Sequence, residues 1–529
     1  MTLSAAVTKA LHRTYRAALA VAILVSGAGL LAQQGAPPAA PQAPPGPGRG
    51  GRPPDPQQVL FTERCAACHG SDLNGARGPS LFTKSFLESR SDEQIRQTIL
   101  DGRTASDMPA FKTVLTGEQV DALVTWIRIQ SGTLIDRPAY VADPNGQRLA
   151  TKKQTVWIEV FATGLDTPWG MGFLPDGRLV VSERPGRLRI IGKDGALGEP
   201  VKNTPTPWVR QDGGYFDIAI HPDYARTGWI YLSYSELVPG YAGPLPPPGV
   251  AGPPPGFGPL PPSNTRIVRG KVNARNEWVE QQDVARLPDS TYSPSIIHYG
   301  QRFLFDGKGH LFWTLGDRGE FANAQNLGDP RGKIHRVNDD GSIPADNPFV
   351  NMPGALGSIW TYGHRNPQGL AFDPRTGLLW ETEHGPTGGD EVNIIEKGKN
   401  YGWGVTTKGI QAGLSQQSQP NMADPITWYT PSVGPSGISF YTGTRYPGWR
   451  NSSLFVSMLT GQKLTRLEIS GRTITEQETV FEQYGRVRQI VAGPDGLFYL
   501  LLQNPTGRGT NIPVFGAAPG MVIRLQPAN

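Results

Sequence analysis

The chain has 529 residues, of which 18% are charged and 38% hydrophobic, and its 50 basic and 45 acidic residues leave a net charge of only +5. This length favours two or three domains, and the lack of Lys/Arg runs argues against nucleic-acid binding. The 66 glycines and 50 prolines favour short strands and many turns. Two cysteines, Cys65 and Cys68, are too few for a disulfide framework.

The N-terminus has the pattern of an export signal over residues 1–35. A basic start with Arg13 and Arg16 precedes an uncharged, largely apolar run, 17–32. This run is shorter than the ~20 residues of a membrane span, so we expect cleavage, with retention as an anchor as the alternative. Residues 36–56 are rich in Pro, Gly and Ala and predict a tether without a core.

Residues 57–132 predict a small all-α domain. Helices are predicted over 57–64, 91–101 and 116–130. Ser91 is the expected N-cap of the second helix because Gln94 follows three residues later, as in a capping box. Thr116 is the expected cap of the third.

The motif CAACH, Cys65–His69, is the attachment signature of c-type haem. Cys65 and Cys68 would add to the haem vinyl groups, and His69 would ligate the iron. A thioredoxin-like redox pair needs a βαβ context, and a zinc site needs further Cys or His nearby. Both alternatives are therefore weak, and we expect a covalent haem c.

Met108 is the predicted sixth ligand of the haem iron. It is the only methionine between Met1 and Met171, and Pro109 stiffens the chain after it. A thioether ligand raises the reduction potential relative to a second histidine. The alternative is a core methionine that fills space.

This segment resembles class I cytochromes c over about 75 residues. The resemblance implies that Gly78 and Pro79 supply a backbone carbonyl to His69, and that the last helix pairs with the first. Haem attachment in these proteins takes place outside the cytoplasm, which agrees with the leader and predicts a periplasmic protein.

Residues 133–154 predict a linker, and residues 155–526 predict an all-β domain. A phrase with an aspartate- and glycine-bearing turn before an apolar strand recurs, which indicates a radially repeated sheet. Six blades of about 62 residues and eight of about 47 both remain open from the length alone. The repeated phrases are FLPDGRLVVSE at 173, FDGKGHLFWTLGD at 305, FDPRTGLLWETEHG at 372 and GPDGLFYLLLQ at 493.

Three polar clusters follow or precede strand-like runs of this domain, where sites are usually built. They are HYGQR with His298, GHRNPQG at 363–369 and EHGPTGGDEVN at 383–393. Arginines suit carboxylate ligands, and carboxylates with backbone carbonyls suit Ca²⁺. Each cluster taken alone could equally be a set of turn residues.

Together the clusters resemble the glucose/sorbosone dehydrogenase family of soluble sugar dehydrogenases that depend on pyrroloquinoline quinone (PQQ). The resemblance covers essentially all of residues 155–526 and implies a six-bladed β-propeller. Its most specific stretches are LGDRGEFANAQNLGDPRGKIHRVNDDGSIPADNPF, YGHRNPQGLAFDP and EHGPTGGDEVNIIEKGKNYGW.

The resemblance implies a role for each matching position. His298 matches the general base that takes the proton of the anomeric hydroxyl while a hydride passes to C5 of PQQ. Arg365 matches the arginine that stabilises the quinone oxygen, and Asn366 lies beside it. The carbonyls of Gly385 and Pro386 match ligands of an active-site Ca²⁺.

Further positions match cofactor and metal ligands of the family. Glu391 and the carbonyl of Tyr401 match ligands of a separate structural Ca²⁺. Arg486 and Arg488 match the pair that binds PQQ carboxylates, and their spacing places both on one face of a strand.

The chain also departs from the family pattern near PQQ and the substrate. Asp212 stands where Gln or Glu is usual, and His384 stands where glutamine precedes the Gly-Pro pair. The PQQ-binding lysine of many members falls near Thr460, with Lys463 three residues on. Ile297 replaces an acidic residue before the base. These differences leave substrate range and PQQ affinity open.

The sequence thus predicts a quinohaemoprotein sugar dehydrogenase. An aldose or related sugar aldehyde would be oxidised at PQQ, and the fused haem would pass electrons to a soluble cytochrome, a copper protein or a membrane oxidase. Tethering raises the effective concentration of the haem acceptor. The alternatives are a calcium-dependent propeller lactonase and a non-enzymatic binding propeller.

Overall fold

The computed structural model describes residues 56–528 apart from several short segments. The predicted signal peptide and all but the last residue of the predicted tether lie outside the described residues. Within the described part, no helix is long and apolar enough to cross a membrane. The segments left out are 71–72, 74, 76–77, 82–89, 104–107, 133–140, 142, 247–257, 387, 410, 412, 416, 431 and 505–518.

The first region is helical, as predicted. Its described helices are α1 (Pro56–Arg64), α2 (Ala66–His69), α3 (Asp92–Asp101) and α4 (Gly117–Gly132). Ser91 forms the predicted capping box, because its Oγ accepts the Gln94 N–H and Gln94 Oε1 accepts the Ser91 N–H. Thr116 and Gln119 make the same reciprocal pair before α4.

The core of this region comes from one face of each long helix. Val120, Leu123, Val124 and Ile127 of α4 are buried at the three- and four-residue spacing of an amphipathic helix. They form one apolar cluster with residues of α1 and α3. The first and last helices pair, and the rings of Phe61 and Trp126 lie 5.1 Å apart.

The second region is a six-bladed β-propeller, which settles the blade number in favour of six. The first three blades contain β3 (Pro168–Phe173), β4 (Leu179–Glu183) and β5 (Arg187–Ile191); β6 (Tyr215–Ile220), β7 (Ile230–Leu237), β8 (Ser263–Val272) and β9 (Trp278–Arg286); and β10 (Phe303–Phe305), β11 (His310–Leu315), β12 (Lys333–Asn338) and β13 (Ile359–Tyr362). A short helix α5 (Tyr224–Thr227) joins β6 to β7.

The remaining blades complete the ring. They contain β14 (Pro367–Phe372), β15 (Leu379–Glu383), β16 (Asp390–Ile395) and β17 (Thr427–Tyr429); β18 (Pro435–Phe440), β19 (Ser453–Met458), β20 (Lys463–Ser470) and β21 (Thr473–Glu482); and β22 (Val487–Ala492), β23 (Phe498–Leu502), β24 (Gly520–Pro527), β2 (Thr155–Leu165) and β1 (Arg148–Ala150).

The last blade joins both ends of the propeller. Strand β2 pairs with β24, so the beginning and the end of the domain share one sheet. The first strand of each blade contacts the first strand of the next, and β22 contacts β3 to close the ring. Closure buries each sheet face against a neighbouring blade. Strand β23, for example, is buried along its whole length.

The repeated phrases mark the same position in four blades, the turn between the first and second strands. In each turn an aspartate Oδ1 accepts the N–H of the residue two positions later, at 2.7–3.0 Å. This side-chain bond fixes the turn without help from the rest of the fold. The four aspartates are Asp176, Asp306, Asp373 and Asp495.

Candidate functional site

A cavity of about 430 Å³ lies at one end of the propeller. It is lined by the segments that lead into the first strand of each blade and by those that follow the second strand. Because strands alternate in direction within a blade, these segments all lie at the same end of the ring. Ten residues predicted from the sequence line it: Asp212, His298, Arg365, Asn366, His384, Gly385, Pro386, Thr460, Arg486 and Arg488. Lys463, Glu391 and Tyr401 are not among its lining residues.

His298 lies just before β10, in the left-handed backbone region at φ 54°, which a side chain adopts only when its surroundings hold it there. Its Nδ1 is 2.7 Å from Asp317 Oδ1, which leaves Nε2 for a substrate. Burial lowers the pKa of His298, the charge of Arg365 lowers it further, and Asp317 opposes both. The imidazole is therefore kept neutral near pH 7.

Asp317 is buried, and its polar atoms make several hydrogen bonds. Its Oδ1 also accepts the Gly319 N–H at 2.7 Å, and its own N–H donates to the Arg365 carbonyl at 2.8 Å. Burial pushes its pKa upward, but the charges of His298 and Arg365 prevail and hold the pKa below its ordinary value. An ionised Asp317 can orient His298 and stabilise its protonated form.

Glu383 positions the segment that carries Arg365. Its Oε2 accepts the N–H groups of Arg365 and Asn366, at 2.6 and 3.4 Å. Arg365 Nη1 donates a hydrogen bond to the His384 carbonyl at 3.0 Å. These bonds hold the guanidinium at the cavity wall close enough to affect His298.

Four arginine side chains make the cavity fit an anionic ligand. Arg184, Arg486 and Arg488 line it together with Arg365. The pKa of Arg488 is well below its ordinary value, first because of burial and then because of the charges of Arg486 and Arg302. Among the described residues, the buried Nε atoms of Arg184 and Arg488 have no hydrogen-bond partner. An anion with several carboxylates would satisfy these donors and offset the repulsion.

The Gly385–Pro386 segment offers oxygen donors at the cavity edge. The Gly385 N–H donates to Asp390 Oδ1 at 2.8 Å, and the other oxygen of Asp390 accepts the Val433 and Gly434 N–H groups. A Cβ on Gly385 would overlap the backbone of Gly388 and Gly389, so the turn needs glycine. Backbone carbonyls in such a fixed loop suit a hard cation such as Ca²⁺.

A second group of acidic residues lies away from the cavity wall, on one face of β15 and β16. Glu383 is in register with Glu391, and Glu381 with Asn393. Burial and then the charge of Glu383 raise the pKa of Glu381 and Glu391 well above the ordinary range. Ligand atoms of His364, Glu381 and Glu383 lie within 4.8 Å of one another. The oxygen-rich donor set around Glu391 is compatible with a divalent cation.

The haem-attachment segment is also organised for its group. His69 is buried, and its Nδ1 lies 3.0 Å from the Pro79 carbonyl, which leaves Nε2 for iron. A Cβ on Gly78 would come within 2.8 Å of the His69 ring. Burial lowers the pKa of His69, as a neutral metal ligand requires. Met108 packs against the helical core and is fixed by paired backbone bonds with Arg103.

Sequence reasoning missed several residues of the cavity, above all Asp317. Arg184, Asp317 and Gln503 each follow the second strand of a blade, as the predicted His384 and Thr460 do. Asp317 and Gln503 even stand within or at the end of repeated phrases. The position after the second strand was therefore a usable signal that the sequence analysis did not apply.

A ring of six blades around a buried, arginine-lined cavity with a histidine–aspartate pair defines a propeller domain equipped for proton transfer beside an anionic ligand. Residues 165–512 match the family model described as Glucose / Sorbosone dehydrogenase. This match spans more than half of the chain, which therefore belongs to the glucose/sorbosone dehydrogenase family and is an oxidoreductase. Residues 53–127 match the model described as cytochrome c oxidase, cbb3-type, subunit III, so a cytochrome c domain precedes the propeller.

Individual relatives agree with this assignment. The aldose sugar dehydrogenase YliI of Escherichia coli is 35% identical over 361 residues, which are 67% of this chain and 91% of the relative. The apo structure of the soluble aldose sugar dehydrogenase from Escherichia coli superposes with a TM-score of 0.61 and 32% identity, over 70% of this chain and 100% of that one. The PQQ-bound aldose sugar dehydrogenase of Streptomyces coelicolor superposes with a TM-score of 0.55 and 26% identity, over 73% and 100% of the two chains.

Proposed function

We propose that this protein is a quinohaemoprotein sugar dehydrogenase that oxidises an aldose, or a related sugar aldehyde or hemiacetal, to its lactone or acid. The observation that carries the proposal is that the His298–Asp317 pair faces the same cavity as four arginines, of which Arg184 and Arg488 are buried. A base beside an anion-binding wall is the arrangement that a hydroxyl oxidation with a carboxylated quinone requires. The PQQ-bound relative from Streptomyces coelicolor supports this choice of cofactor.

Arg486 and Arg488 would bind the PQQ carboxylates, with Asn366, His384, Thr460 and Asp212 completing the wall. Bound PQQ supplies a quinone that accepts two electrons and the hydrogen of the substrate carbon. Lys463 is not among the residues that line the cavity. The lining arginines would carry the anion binding in its place.

The protein residues divide the remaining work. His298 Nε2 takes the proton of the anomeric hydroxyl as the C–H bond breaks, and the C–O bond becomes the carbonyl of the lactone. Asp317 stabilises the imidazolium that forms and holds the ring in place. Arg365 would stabilise negative charge on the oxygen of a bound quinone.

Calcium would be held at two places. The carbonyls of Gly385 and Pro386 would bind one ion at the cavity, where it acts as a Lewis acid. Glu391 and the carbonyl of Tyr401 would bind a second ion, and its charge would relieve the repulsion among Glu381, Glu383 and Glu391.

The cytochrome domain would collect the electrons. Cys65 and Cys68 would hold haem c by thioether bonds, and His69 and Met108 would ligate its iron. Haem c would supply one-electron transfer toward a soluble cytochrome, a copper protein or a membrane oxidase. Covalent haem attachment and residues 1–35 support export to the periplasm.

The test uses the exported, haem-loaded full chain. Bound metal is removed, PQQ and Ca²⁺ are added separately and together, and haem reduction is followed by absorbance after an aldose is added. We expect haem reduction only when PQQ, Ca²⁺ and the aldose are all present. The His298→Asn variant should lose this reduction while its oxidised haem spectrum stays unchanged. Lactone hydrolysis that needs Ca²⁺ but not PQQ would favour the lactonase, and failure of PQQ to bind would overturn the cofactor assignment.

A further inference from the structure

One buried indole contacts two charged residues of the candidate active site, Asp317 and Arg365. The Nε1–H of Trp403 donates to Asp317 Oδ2 at 2.6 Å, on the carboxylate oxygen that His298 does not use. The Arg365 guanidinium carbon lies 5.3 Å from the centroid of the same ring. Trp403 is 6% exposed and lines the cavity.

The backbone of Trp403 is anchored on both sides. Its N–H donates to the Gly363 carbonyl at 2.9 Å, two residues before Arg365. Its carbonyl accepts Gln325 Nε2 at 2.7 Å, and the Phe321 ring meets the indole edge-on at 6.3 Å. The backbone that carries the indole is therefore fixed to the segment that carries Arg365, and the indole itself is held by its bond to Asp317 and by ring packing.

We propose that Trp403 is a positioning residue that couples the base to the charge-stabilising arginine: its N–H holds Asp317 in the orientation that aligns His298, and its ring face seats Arg365. The proposal rests on the proposed function and deepens it. It accounts for a buried tryptophan whose only polar side-chain atom contacts the aspartate behind the base.

The coupling predicts the direction in which the titration of His298 shifts when the indole N–H is removed. The charged groups facing His298 are Asp317, Arg365 and Asp212, and those facing Asp317 are His298, Arg365 and Arg318. The indole N–H disperses the negative charge of Asp317. Without that donor the charge concentrates toward His298, favours the imidazolium, and moves the titration of His298 to higher pH.

Trp403→Phe separates the two contacts, because it removes the N–H donor and keeps a ring under Arg365. We expect kcat about tenfold lower, as for the loss of one hydrogen bond to a charged group, with the acid limb of the pH profile at higher pH. Trp403→Leu removes both contacts and should lower kcat several-fold further. Trp380→Phe is the matched control: Trp380 is a fully buried blade-core tryptophan whose Nε1 has no partner among the described residues.

A measurement on the cofactor-free protein keeps this test independent of the dehydrogenase assay. The His298 imidazole is titrated by NMR with labelled histidine, and its signal is assigned by its loss in His298→Asn. A higher midpoint in Trp403→Phe, but not in Trp380→Phe, supports the coupling even if no sugar is oxidised, in which case only the proposed function fails. An unchanged midpoint and an unchanged pH profile overturn the coupling even if the enzyme is active.

A wild-type experiment covers the case in which Trp403→Phe does not fold. The indole N–H signal of Trp403 should shift with the same midpoint as His298, since both groups bind one carboxylate. A signal that stays constant through the His298 titration would overturn the proposal.

Discussion

Two histidines, the buried His69 and the partly buried His298, carry the chemistry proposed for this chain, and their surroundings differ. Burial is the main cause of the lowered pKa of both His69 and His298. The polar partner of His69 is a neutral backbone carbonyl, that of Pro79. His298 instead lies between the opposite charges of Asp317 and Arg365.

The difference follows from what each ring has to do. A haem ligand must stay neutral, so burial and one neutral partner are sufficient. A general base must gain and lose a proton near pH 7, so its protonated form needs a compensating charge that is held in place. Substitutions around His298 should therefore change the base and leave the haem ligand as it is.

His298→Asn should have the largest effect. Without a base at this position, sugar-driven haem reduction should fall by roughly 10²–10⁴-fold. The haem spectrum should not change, because His69 belongs to the other region. Stopped-flow absorbance measures the rate, and PQQ binding followed by fluorescence quenching is the control. A rate within tenfold of wild type would show that His298 is not the base.

Asp317→Asn should lower kcat by about 10–100-fold, because a neutral amide cannot stabilise the imidazolium. The pH dependence of kcat in this variant gives a second readout. Asp317 raises the pKa of His298, so its removal lowers that pKa and keeps the base neutral to lower pH. The acid limb of kcat should therefore move to lower pH, opposite to the shift expected for Trp403→Phe. A shift to higher pH would contradict the assigned charges.

The helical region could be predicted almost completely from the sequence, since its signals are local. CAACH lies within five residues, and the capping boxes at Ser91 and Thr116 each lie within four. The blades were also recognisable, because each aspartate turn forms within its own repeat.

The cavity was predicted through the family resemblance, and only in part. Asp317 and Trp403 are 86 residues apart in sequence yet share one hydrogen bond. Arg488 meets Gln368 across 120 residues. No periodicity or spacing predicts which blade ends meet, so these partners required the closed ring.

Arg488→Met should weaken PQQ binding by roughly 10–100-fold, the cost of losing charge-assisted bonds to a buried carboxylate. The substitution keeps an unbranched chain over Trp169, which Arg488 covers at 4.7 Å. PQQ is titrated into the metal-loaded apo protein by calorimetry. Arg472→Gln, an exposed residue paired with Glu396, is the control. Equal affinities in both variants would remove Arg488 from the cofactor site.

The prediction with the smallest expected effect concerns the helical region alone. Ser91→Ala removes the capping box of α3 and should lower the unfolding free energy of this region by about 1 kcal/mol. Thr98→Ala is the matched control, because its hydroxyl bonds the Gln94 carbonyl within the same helix and caps nothing.

Urea unfolding of the full chain is followed by haem absorbance for the cytochrome domain and by tryptophan fluorescence, which the propeller dominates. Since the cap stabilises only local structure, the propeller transition should stay in place. A propeller transition that moves with Ser91→Ala would show that the two regions unfold as one cooperative unit, and the two histidine surroundings could then not be altered independently.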